Sequence, residues 1–418
     1  MTERIAIVGT GIAGMTAAYL LARNHELVVF EANDYIGGHS HTVMVPSEDG
    51  EIGVDTGFIV HNRRTYPHFC RLLDRLGVAT QPSDMSFSFR DETTGLEHAA
   101  PELRRLFAQP RNLWRPRFWR MLGQIRRFYR EAPRLLVAAD ADADLDLKSY
   151  LLREGYDEAF SEDHLFPMAA AIWSGSRRQL AAFPARAFVR FFQNHGLLSL
   201  RDRPLWRTIT GGSVRYVEKL VASFRDAVRL RTPVIQVQRD ETGVTVTTPT
   251  GPPERFSKIV LACHADQALA LLADPTPQET ELLGAFPYAA NDVVLHSDPN
   301  LMPRRKAAWS SWNYHKLVDA PDLVTLTYHM NQLQRLPGPI PYLVTLNRTE
   351  AVDSEKRHAR LTYHHPQYDA RGVALQARFE ELNGPNHTHY CGAYWGYGFH
   401  EDGVVSALRV ARCFGEDI

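Results

Sequence analysis

The sequence has few cysteines, no long apolar run and almost no excess of charge of one sign. Its 418 residues carry a net charge of −1, which excludes an overall attraction to nucleic acid. The 18 histidines include no HExxH pattern, and we predict no metal site. The cysteines form no CxxC pair, which excludes a disulfide-rich scaffold and predicts reduced thiols at Cys70, Cys263, Cys391 and Cys413.

No apolar run approaches the roughly 20 residues that a membrane-spanning helix requires. A strand pattern begins already at Ile5, so we expect no signal peptide and a cytoplasmic protein. Any contact with a membrane is therefore expected to be peripheral, at its inner face.

The strongest pattern present is a glycine-rich turn between an apolar strand and a helix. Gly9 allows the tight turn, Gly11 lets the backbone approach a pyrophosphate, and Gly14 lets the helix pack closely on the sheet. The N–H groups of Ile12 and Ala13 lie at the start of the helix, where a phosphate is stabilised. The pattern predicts a dinucleotide site.

The residues that follow favour FAD over NAD. Glu31 ends a second apolar strand, where it can accept a hydrogen bond from a ribose hydroxyl and would repel the 2′-phosphate of NADP. A glycine pair at Gly37-Gly38, a polar stretch over 39–42 and a segment at 54–57 continue the pattern of glutathione-reductase-like flavoproteins. A long FAD needs these additional points of close approach.

The remaining patterns predict an α/β protein of two interleaved domains. Helical periodicity covers residues 66–76 and about 101–193, whereas strand patterns recur from residue 234 onward. The predicted FAD-binding domain consists of residues 1–60, 205–268 and 386–418. The predicted substrate domain consists of residues 61–204 and 269–385, helical first and then a β-sheet.

With these motifs, the chain resembles the flavin amine oxidase and phytoene desaturase superfamily. The glycine pair at 211–212 resembles one that enters a helix beneath the flavin in that superfamily. The implied fold is a glutathione-reductase-like FAD-binding Rossmann domain with an inserted, amine-oxidase-like α+β substrate domain. The resemblance implies FAD contacts at Gly9, Gly11, Ile12, Ala13, Gly14, Glu31, Ala32, Asn33, Gly38, His39, Gly57, Phe58, Val234, Gly392, Phe399 and His400.

Two of these implied contacts have distinct roles. The backbone of Val234 would pair with the adenine, and the helix that begins near His400 would direct its N-terminus at the N1/O2 edge of the flavin. A reduced flavin carries negative charge at that edge, which a helix dipole stabilises.

The chain departs from its relatives at positions that carry charge. Arginines are usual near the pyrophosphate where this chain has Asn33 and His39. Amine oxidases generally place a lysine near flavin N5, on a strand that matches residues 291–294; here Asn291 and Asp292 occupy that region. The missing lysine disfavours amine oxidation.

A narrower resemblance is to bacterial predicted NAD/FAD-binding oxidoreductases marked by the segments at 36–42 and 396–403. That branch is associated with methyltransferases similar to cyclopropane-fatty-acid synthases, and a lipid methyltransferase is therefore an implied partner. The implied substrate is a methyl-branched unsaturated acyl group of a phospholipid. The implied reaction is its desaturation by hydride transfer to flavin N5, as on the route to furan fatty acids.

A stretch at 102–134 gives an independent hint of lipid. It contains ten arginines and two glutamates, with aromatic residues between them. Phe118, Met121, Leu122 and Ile125 fall on one helical face, a pattern typical of a helix that lies on an anionic membrane. The same pattern fits a helix that covers the core of the substrate domain with a solvated basic rim, and the sequence leaves both interpretations open.

The candidate catalytic residues are His61, Tyr328, His329 and Tyr397, each of which could reach an active-site cavity. Three other functions stay open beside desaturation. They are a flavin-dependent double-bond isomerase, an amine oxidase, and a non-catalytic flavoprotein partner of a lipid methyltransferase.

Overall fold

The computed structural model describes residues 2–48, 50–137, 145–199 and 203–418. The strands are β1 (Arg4–Val8), β2 (Glu26–Phe30), β3 (Thr42–Ser47), β4 (Gly50–Asp55), β5 (Val60–His61), β6 (Thr80–Pro82), β7 (Phe87–Asp91), β8 (Glu97–Ala100), β9 (Arg207–Ile209), β10 (Val228–Arg229), β11 (Gln236–Asp240), β12 (Gly243–Thr247), β13 (Glu254–Phe256), β14 (Lys258–Leu261), β15 (Tyr288–His296), β16 (Trp312–Lys316), β17 (Leu326–His329), β18 (Leu343–Leu346), β19 (Arg357–Pro366) and β20 (Thr388–Tyr390).

The helices are α1 (Ile12–Leu21), α2 (Pro67–Arg75), α3 (Leu103–Leu106), α4 (Pro116–Glu131), α5 (Leu147–Arg153), α6 (Glu158–Phe160), α7 (Phe166–Trp173), α8 (Arg177–Ala181), α9 (Ala185–Asn194), α10 (Val214–Val221), α11 (Ala265–Leu271), α12 (Pro277–Leu283), α13 (Met330–Leu333), α14 (Ala370–Leu375) and α15 (His400–Arg412). In the ranges that the structure covers, no helix is long and apolar enough to cross a membrane.

A parallel five-stranded sheet forms the nucleotide-binding half, in the order β10-β2-β1-β14-β20. Its apolar strands are buried on both faces, as parallel strands covered by helices require. The helices α1 and α15 pack against each other beside it. Their contact is close because Gly403 has no side chain: a Cβ there would lie 2.7 Å from Cγ2 of Ile12. All five strands fall within the three pieces predicted for the FAD-binding domain, whose boundaries stay a prediction.

The larger sheet has seven strands in the order β19-β15-β18-β17-β16-β7-β8. Residues directly opposite each other on paired strands share a face. One face, which we call the inner face, carries among others Asn291, Tyr328 and Tyr363. Val293, Leu295 and Val344 on this face pack on the β3–β4 hairpin and on Ile59, so the inner face meets the nucleotide-binding half.

The arginine-rich helix α4 packs its apolar face into the protein core. Phe118, Met121 and Phe128 are 0–1% exposed. Since these side chains are covered by the helical layer, the apolar face suggested by the sequence is not available to a membrane. The structure therefore supports the alternative interpretation for this face, in which α4 covers the core.

Candidate functional site

The glycine turn after β1 forms a cradle made of backbone. Gly9 has φ +101° and donates its N–H to the carbonyl of Phe30 at 2.8 Å. A Cβ on Gly14 would lie 2.0 Å from the carbonyl oxygen of Gly9, whereas a Cβ on Gly11 would meet no atom within 4 Å. No side chain caps α1, so the N–H groups at its start are open to an anion.

Glu31 closes one end of this cradle. It is 5% exposed, and its carboxylate accepts hydrogen bonds from the backbone N–H groups of Thr10 at 2.9 Å and of Asn33 at 2.8 Å. The carbonyl of Glu31 accepts a hydrogen bond from the N–H of Thr232 at 2.8 Å. This bond holds the segment that leads to the buried Val234 next to Glu31. Glu31, Asn33 and Val234 are thus brought to one end of the glycine turn, and Ala32 is exposed beside them.

The glycine pair and His39 form the second wall of the cradle. A Cβ on Gly38 would lie 3.1 Å from Cα of Gly11. The imidazole of His39 has a buried Nε2 without a partner and lies 4.7 Å from the ring of Tyr363 and 5.5 Å from that of His365. Burial holds the pKa of His39 well below its usual value. A buried, unpartnered nitrogen beside a glycine cradle fits a phosphate oxygen, which would supply the missing partner.

Asp55 joins the two motifs that the sequence assigns to the flavin. Its buried carboxylate accepts from the N–H of Ser213 at 2.8 Å, from the hydroxyl of Thr42 at 2.5 Å and from the side chain of Gln334 at 2.9 Å. Burial raises the pKa of Asp55 to about 6. The segment after Asp55 runs along the glycine pair, because the N–H of Phe58 donates to the carbonyl of His39 at 2.7 Å. No pattern in the sequence pointed to Gln334, which directly follows α13.

His400 and Phe58 stack on each other where α15 begins. Their ring centroids are 3.6 Å apart. Nε2 of His400 lies 2.9 Å from the hydroxyl of Ser40 and 3.2 Å from that of Tyr216. Burial lowers the pKa of His400 to about 3, so the imidazole is neutral. Phe58 and His400, predicted separately from distant motifs, are therefore in direct contact.

The C-terminal loop is fixed by backbone hydrogen bonds. The buried carboxylate of Asp402 accepts from the N–H groups of Tyr397 at 3.0 Å and Phe399 at 2.9 Å. Burial raises the pKa of Asp402 to about 7. Gly392 donates its N–H to the hydroxyl of Ser406 at 2.9 Å, which attaches the loop to α15.

Beyond the cradle, side chains from three parts of the chain form two groups of rings in contact, which adjoin where Phe399 precedes His400. We call the two groups together the aromatic cluster. One group is Phe58, His61, Phe69, Tyr216 and His400, and the other is Tyr66, Phe191, His195, Trp206, Tyr397 and Phe399. Tyr397 joins it through Phe191 at 5.3 Å. His195 stacks on Phe191 at 3.9 Å and also faces Trp206 at 6.3 Å. All of these rings are buried or half-buried, and they form an apolar region beside the predicted flavin position.

His61 is the titratable group of the cluster with a free ring nitrogen. It is 1% exposed, and its Nδ1 has no hydrogen-bond partner. Burial, reinforced by the positive charges of Arg207 and Arg63, lowers the pKa of His61 to about 4. His61 is therefore a neutral base at physiological pH. His195 differs, because its Nδ1 donates to the carbonyl of Phe191 at 2.9 Å.

The other two candidate catalytic residues lie on the larger sheet. Tyr328 is on the inner face, in contact with Trp312 at 5.0 Å. His329 points to the opposite face, because side chains alternate along a strand, and it contacts Trp309 at 5.8 Å. Within the residues that the structure describes, no ring contact joins Tyr328 or His329 to the aromatic cluster. The structure therefore places His61 and Tyr397 in the two groups of the aromatic cluster, with no ring contact between them among the described residues, and places Tyr328 and His329 outside it.

No carboxylate near the aromatic cluster is without a partner in the described ranges. The carboxylates of Asp55 and Asp402 are bonded as above. Glu401 accepts from the N–H groups of His68 at 3.0 Å and Phe69 at 2.9 Å. The lysines lie outside the cluster, at Lys148, Lys219, Lys258, Lys306, Lys316 and Lys356.

The strand that matches the lysine-bearing strand of amine oxidases carries a neutral side chain inward. Asn291 is 2% exposed, donates to Nδ1 of His365 at 3.0 Å and accepts from the amide of Asn347 at 2.9 Å. Asp292 points away and forms an ion pair with Arg360 at 3.0 Å. The inner face therefore offers an amide where amine oxidases generally have an ammonium group.

Comparison with known proteins assigns the family. Residues 12–306 match the family described as flavin containing amine oxidoreductase. The chain is 26% identical over 297 residues to AofH of Mycobacterium tuberculosis, a protein assigned by name as a flavin-containing monoamine oxidase; the match covers 68% of this chain and 62% of that protein. It is 23% identical over 285 residues to an L-amino acid oxidase of Bothrops pictus, covering 64% and 53%. The matches thus span less than two thirds of these relatives.

Solved structures share the whole fold. A putrescine oxidase bound to putrescine superposes with a TM-score of 0.70 at 16% identity, covering 99% of both chains. A fatty acid isomerase from P. acnes that produces CLA also gives 0.70, at 18% identity and 99% of both chains. Identities this low show the fold alone, a Rossmann-type FAD-binding half joined to a substrate-binding half. By its motifs, its fold and the match over residues 12–306, the chain belongs to the flavin containing amine oxidoreductase family, and its cofactor is FAD.

Proposed function

We propose that the protein is an FAD-dependent oxidoreductase that desaturates a methyl-branched unsaturated acyl group of a phospholipid. The observation that carries this proposal is the aromatic cluster, which presents rings and a neutral histidine but, in the part of the chain that the structure describes, no unpaired carboxylate and no lysine. The sequence resemblance to oxidoreductases associated with lipid methyltransferases supports the methyl branch. By the same argument, a methyltransferase that supplies the branch is a partner.

The electrostatics of the cluster favour a neutral substrate over an alkylammonium. Aromatic rings alone attract a cation. Here the charges that act on His61 are those of Arg207 and Arg63, and both lower its pKa. The positive charge of Arg207 would repel an ammonium group, whereas that of Arg63 is compensated by Asp74 at 2.8 Å. An acyl chain gains instead from burial against the rings, by roughly 0.8 kcal/mol for each buried CH₂ group.

Desaturation removes a proton from one carbon and a hydride from another. FAD, when bound, accepts the hydride, and dioxygen or another acceptor must later reoxidise it. His61 is our candidate for the base that accepts the proton, because its imidazole is neutral and its Nδ1 has no hydrogen-bond partner. The rings around His61 exclude water and hold the chain. Tyr397, at the other end of the cluster, is our candidate for positioning the chain.

A double-bond isomerase is the second candidate function. The fatty acid isomerase superposes as well as the putrescine oxidase does, with the same TM-score of 0.70. The fold therefore does not favour an amine over a fatty acid. An isomerase would use the same apolar cluster and return the hydride to the substrate, with no net oxidation.

Mass spectrometry of the lipid products separates these functions. The FAD-bound protein is incubated in air with phospholipid that carries methyl-branched unsaturated chains, with His61→Gln in parallel. Our proposal predicts a product that has lost two hydrogens, formed much more slowly by the variant. A product of unchanged mass with a moved double bond would assign the isomerase. An unchanged lipid, with turnover of amines instead, would contradict both.

A further inference from the structure

The arginine-rich segment keeps a second apolar surface, different from the one buried in the core. Trp114 is 87% exposed and Trp119 is 50% exposed, and among the described residues no other tryptophan is exposed to this degree. Leu103 and Leu113 of the same segment are exposed as well. Soluble proteins seldom leave two tryptophans in water close together, and tryptophan is enriched where a protein meets the membrane interface.

Contacts within the segment hold these side chains on one surface. The indole N–H of Trp119 donates to the carbonyl of Leu113 at 2.9 Å. The ring of Trp119 also lies 5.7 Å from that of Phe107, which directly follows α3. The start of α4, the turn at 110–114 and the end of α3 are thereby joined. Trp114 and Trp119 are presented by a folded surface and not by a loose loop.

Uncompensated positive charges surround the two tryptophans. Arg104 and Arg120 are exposed and have no ion pair or hydrogen bond with any described residue. Arg115 donates to the carbonyl of Thr94 at 3.4 Å, which leaves its charge uncompensated. The two glutamates of the segment already form ion pairs and do not compensate these arginines. Glu102 pairs with Arg105, and Glu131 pairs with Arg127 and Arg130. Asp140, Asp142 and Asp144 lie outside the described residues.

A distant part of the chain adds further positive charge to the same place. Arg304, Arg305 and Lys306 are exposed, and the turn that they begin contacts α3. The arginine-tryptophan surface therefore consists of Leu103, Arg104, Leu113, Trp114, Trp119 and Arg120, with residues 304–306 at its edge. The net charge of the whole chain is −1, so this positive charge is a local feature.

We propose that the arginine-tryptophan surface docks the protein on an anionic phospholipid bilayer. The tryptophans and leucines enter the interface between headgroups and acyl chains, while the arginines contact lipid phosphates. A duplex nucleic acid would use the arginines but leave the exposed leucines in water. The inference goes beyond the proposed function and is testable without turnover, because membrane docking and lipid oxidation have separate measurements.

Flotation with lipid vesicles tests the proposal directly. The FAD-bound protein is mixed with vesicles of phosphatidylcholine alone or of phosphatidylcholine with phosphatidylglycerol, at low and at high salt. We expect binding only to the vesicles that contain phosphatidylglycerol, weakened by salt. Trp114→Ala with Trp119→Ala, and separately Arg104→Glu with Arg120→Glu, should each lower the partition coefficient by roughly tenfold or more.

The matched control is Leu152→Ala with Val318→Ala, since these side chains are 66% and 55% exposed but lie outside the surface. This control should bind as the unchanged protein does. Circular dichroism verifies that all variants fold, as expected for exposed positions. Equal binding to both kinds of vesicle, binding unaffected by the surface variants, or binding to a DNA duplex in place of vesicles would overturn the proposal.

A second assay separates docking from catalysis. The surface variants should oxidise acyl substrate dispersed in detergent at the rate of the unchanged protein, and should be slower only with substrate in vesicles. Docking without any oxidation would contradict the proposed function alone. Oxidation of vesicle lipid that is insensitive to the surface variants would contradict the docking alone.

Discussion

The nucleotide cradle and the aromatic cluster lie next to each other but are built by different means. The cradle is made of backbone: a turn at Gly9, an open approach at Gly11 and a close contact at Gly14. The cluster is made of side-chain rings from three parts of the chain that meet only in the folded protein. A site made of backbone leaves a local signature in the sequence, whereas a site made of distant rings does not.

The largest effect is expected at Gly14, where the cradle has no space for a side chain. Gly14→Ala places a Cβ 2.0 Å from the backbone oxygen of Gly9, which the helix cannot relieve without leaving the sheet. We expect a loss of about 3 kcal/mol or more in the free energy of unfolding and no bound FAD, as measured by denaturant unfolding and flavin absorbance. Gly123→Ala is the control, because a Cβ on this helical glycine would meet no atom within 4 Å. Equal stability of the two variants would contradict the account.

The next largest effect is expected at His61, and it separates catalysis in the aromatic cluster from FAD binding in the cradle. His61→Gln should lower kcat by roughly 10³-fold while the affinity for FAD stays unchanged, because His61 belongs to the cluster and not to the cradle. The control is His164→Gln, another buried histidine with an unpartnered ring nitrogen, for which we expect little change in kcat. A His61 variant that loses its FAD, or that keeps its kcat, would remove His61 as the base.

A smaller effect is predicted at Gly11, where the FAD-free protein has space for a side chain. Gly11→Ala meets no protein atom within 4 Å, so the free energy of unfolding of the FAD-free protein should change by less than about 1 kcal/mol. The new methyl group would occupy the space of a phosphate and cost roughly 3 kcal/mol of binding, or about 100-fold in Kd. Titration of the FAD-free protein with FAD measures this. An unchanged Kd would show that the pyrophosphate does not approach Gly11.

The smallest effect concerns pH, for which the buried histidines and the buried aspartates of the two regions have opposite signs. Burial lowers the pKa of His195 to about 4, so between pH 6.5 and 4 the unfolded chain binds a proton that the folded chain does not. Such a histidine therefore lowers the free energy of unfolding by about 1.4 kcal/mol for each unit by which the pH is decreased in this range. Asp55, with its pKa raised to about 6, acts oppositely between pH 6 and 3.8, because there the folded chain binds the additional proton.

Denaturant unfolding from pH 7 to pH 5 measures the net slope. Buried histidines with lowered pKa values outnumber the three aspartates whose pKa values are raised, Asp55, Asp163 and Asp402. We therefore expect stability to decrease toward acid, and His195→Gln to make the decrease less steep. A slope unchanged in this variant would show that His195 is not buried as a neutral group.

The sequence predicted the cradle in detail because each of its parts follows local rules. The apolar strand before Gly9, the acid at Glu31 and the helix after Ser213 all appear where their patterns place them. The strand β19 was not predicted, because it alternates exposed and half-buried positions and carries polar residues through most of its length. Its His365 consequently could not be placed beside His39.

The aromatic cluster could be predicted only in part. Its members at 397–400 belong to a motif, but Phe191, His195 and Trp206 join it through contacts between distant segments. The apolar face of α4 shows the related difficulty: periodicity identifies an amphipathic helix but not what covers it. In this protein the core covers Phe118 and Met121, whereas Trp119 on the other side stays in water.

In our proposal the aromatic cluster receives a neutral acyl chain and not an ammonium group. An anaerobic titration of the FAD-bound protein distinguishes the two, with flavin absorbance recorded against phospholipid containing methyl-branched unsaturated chains and, separately, against a panel of amines. We expect the lipid to bleach the flavin and the amines to leave it unchanged. Bleaching by an amine, with no response to the lipid, would show that the cluster receives an ammonium group.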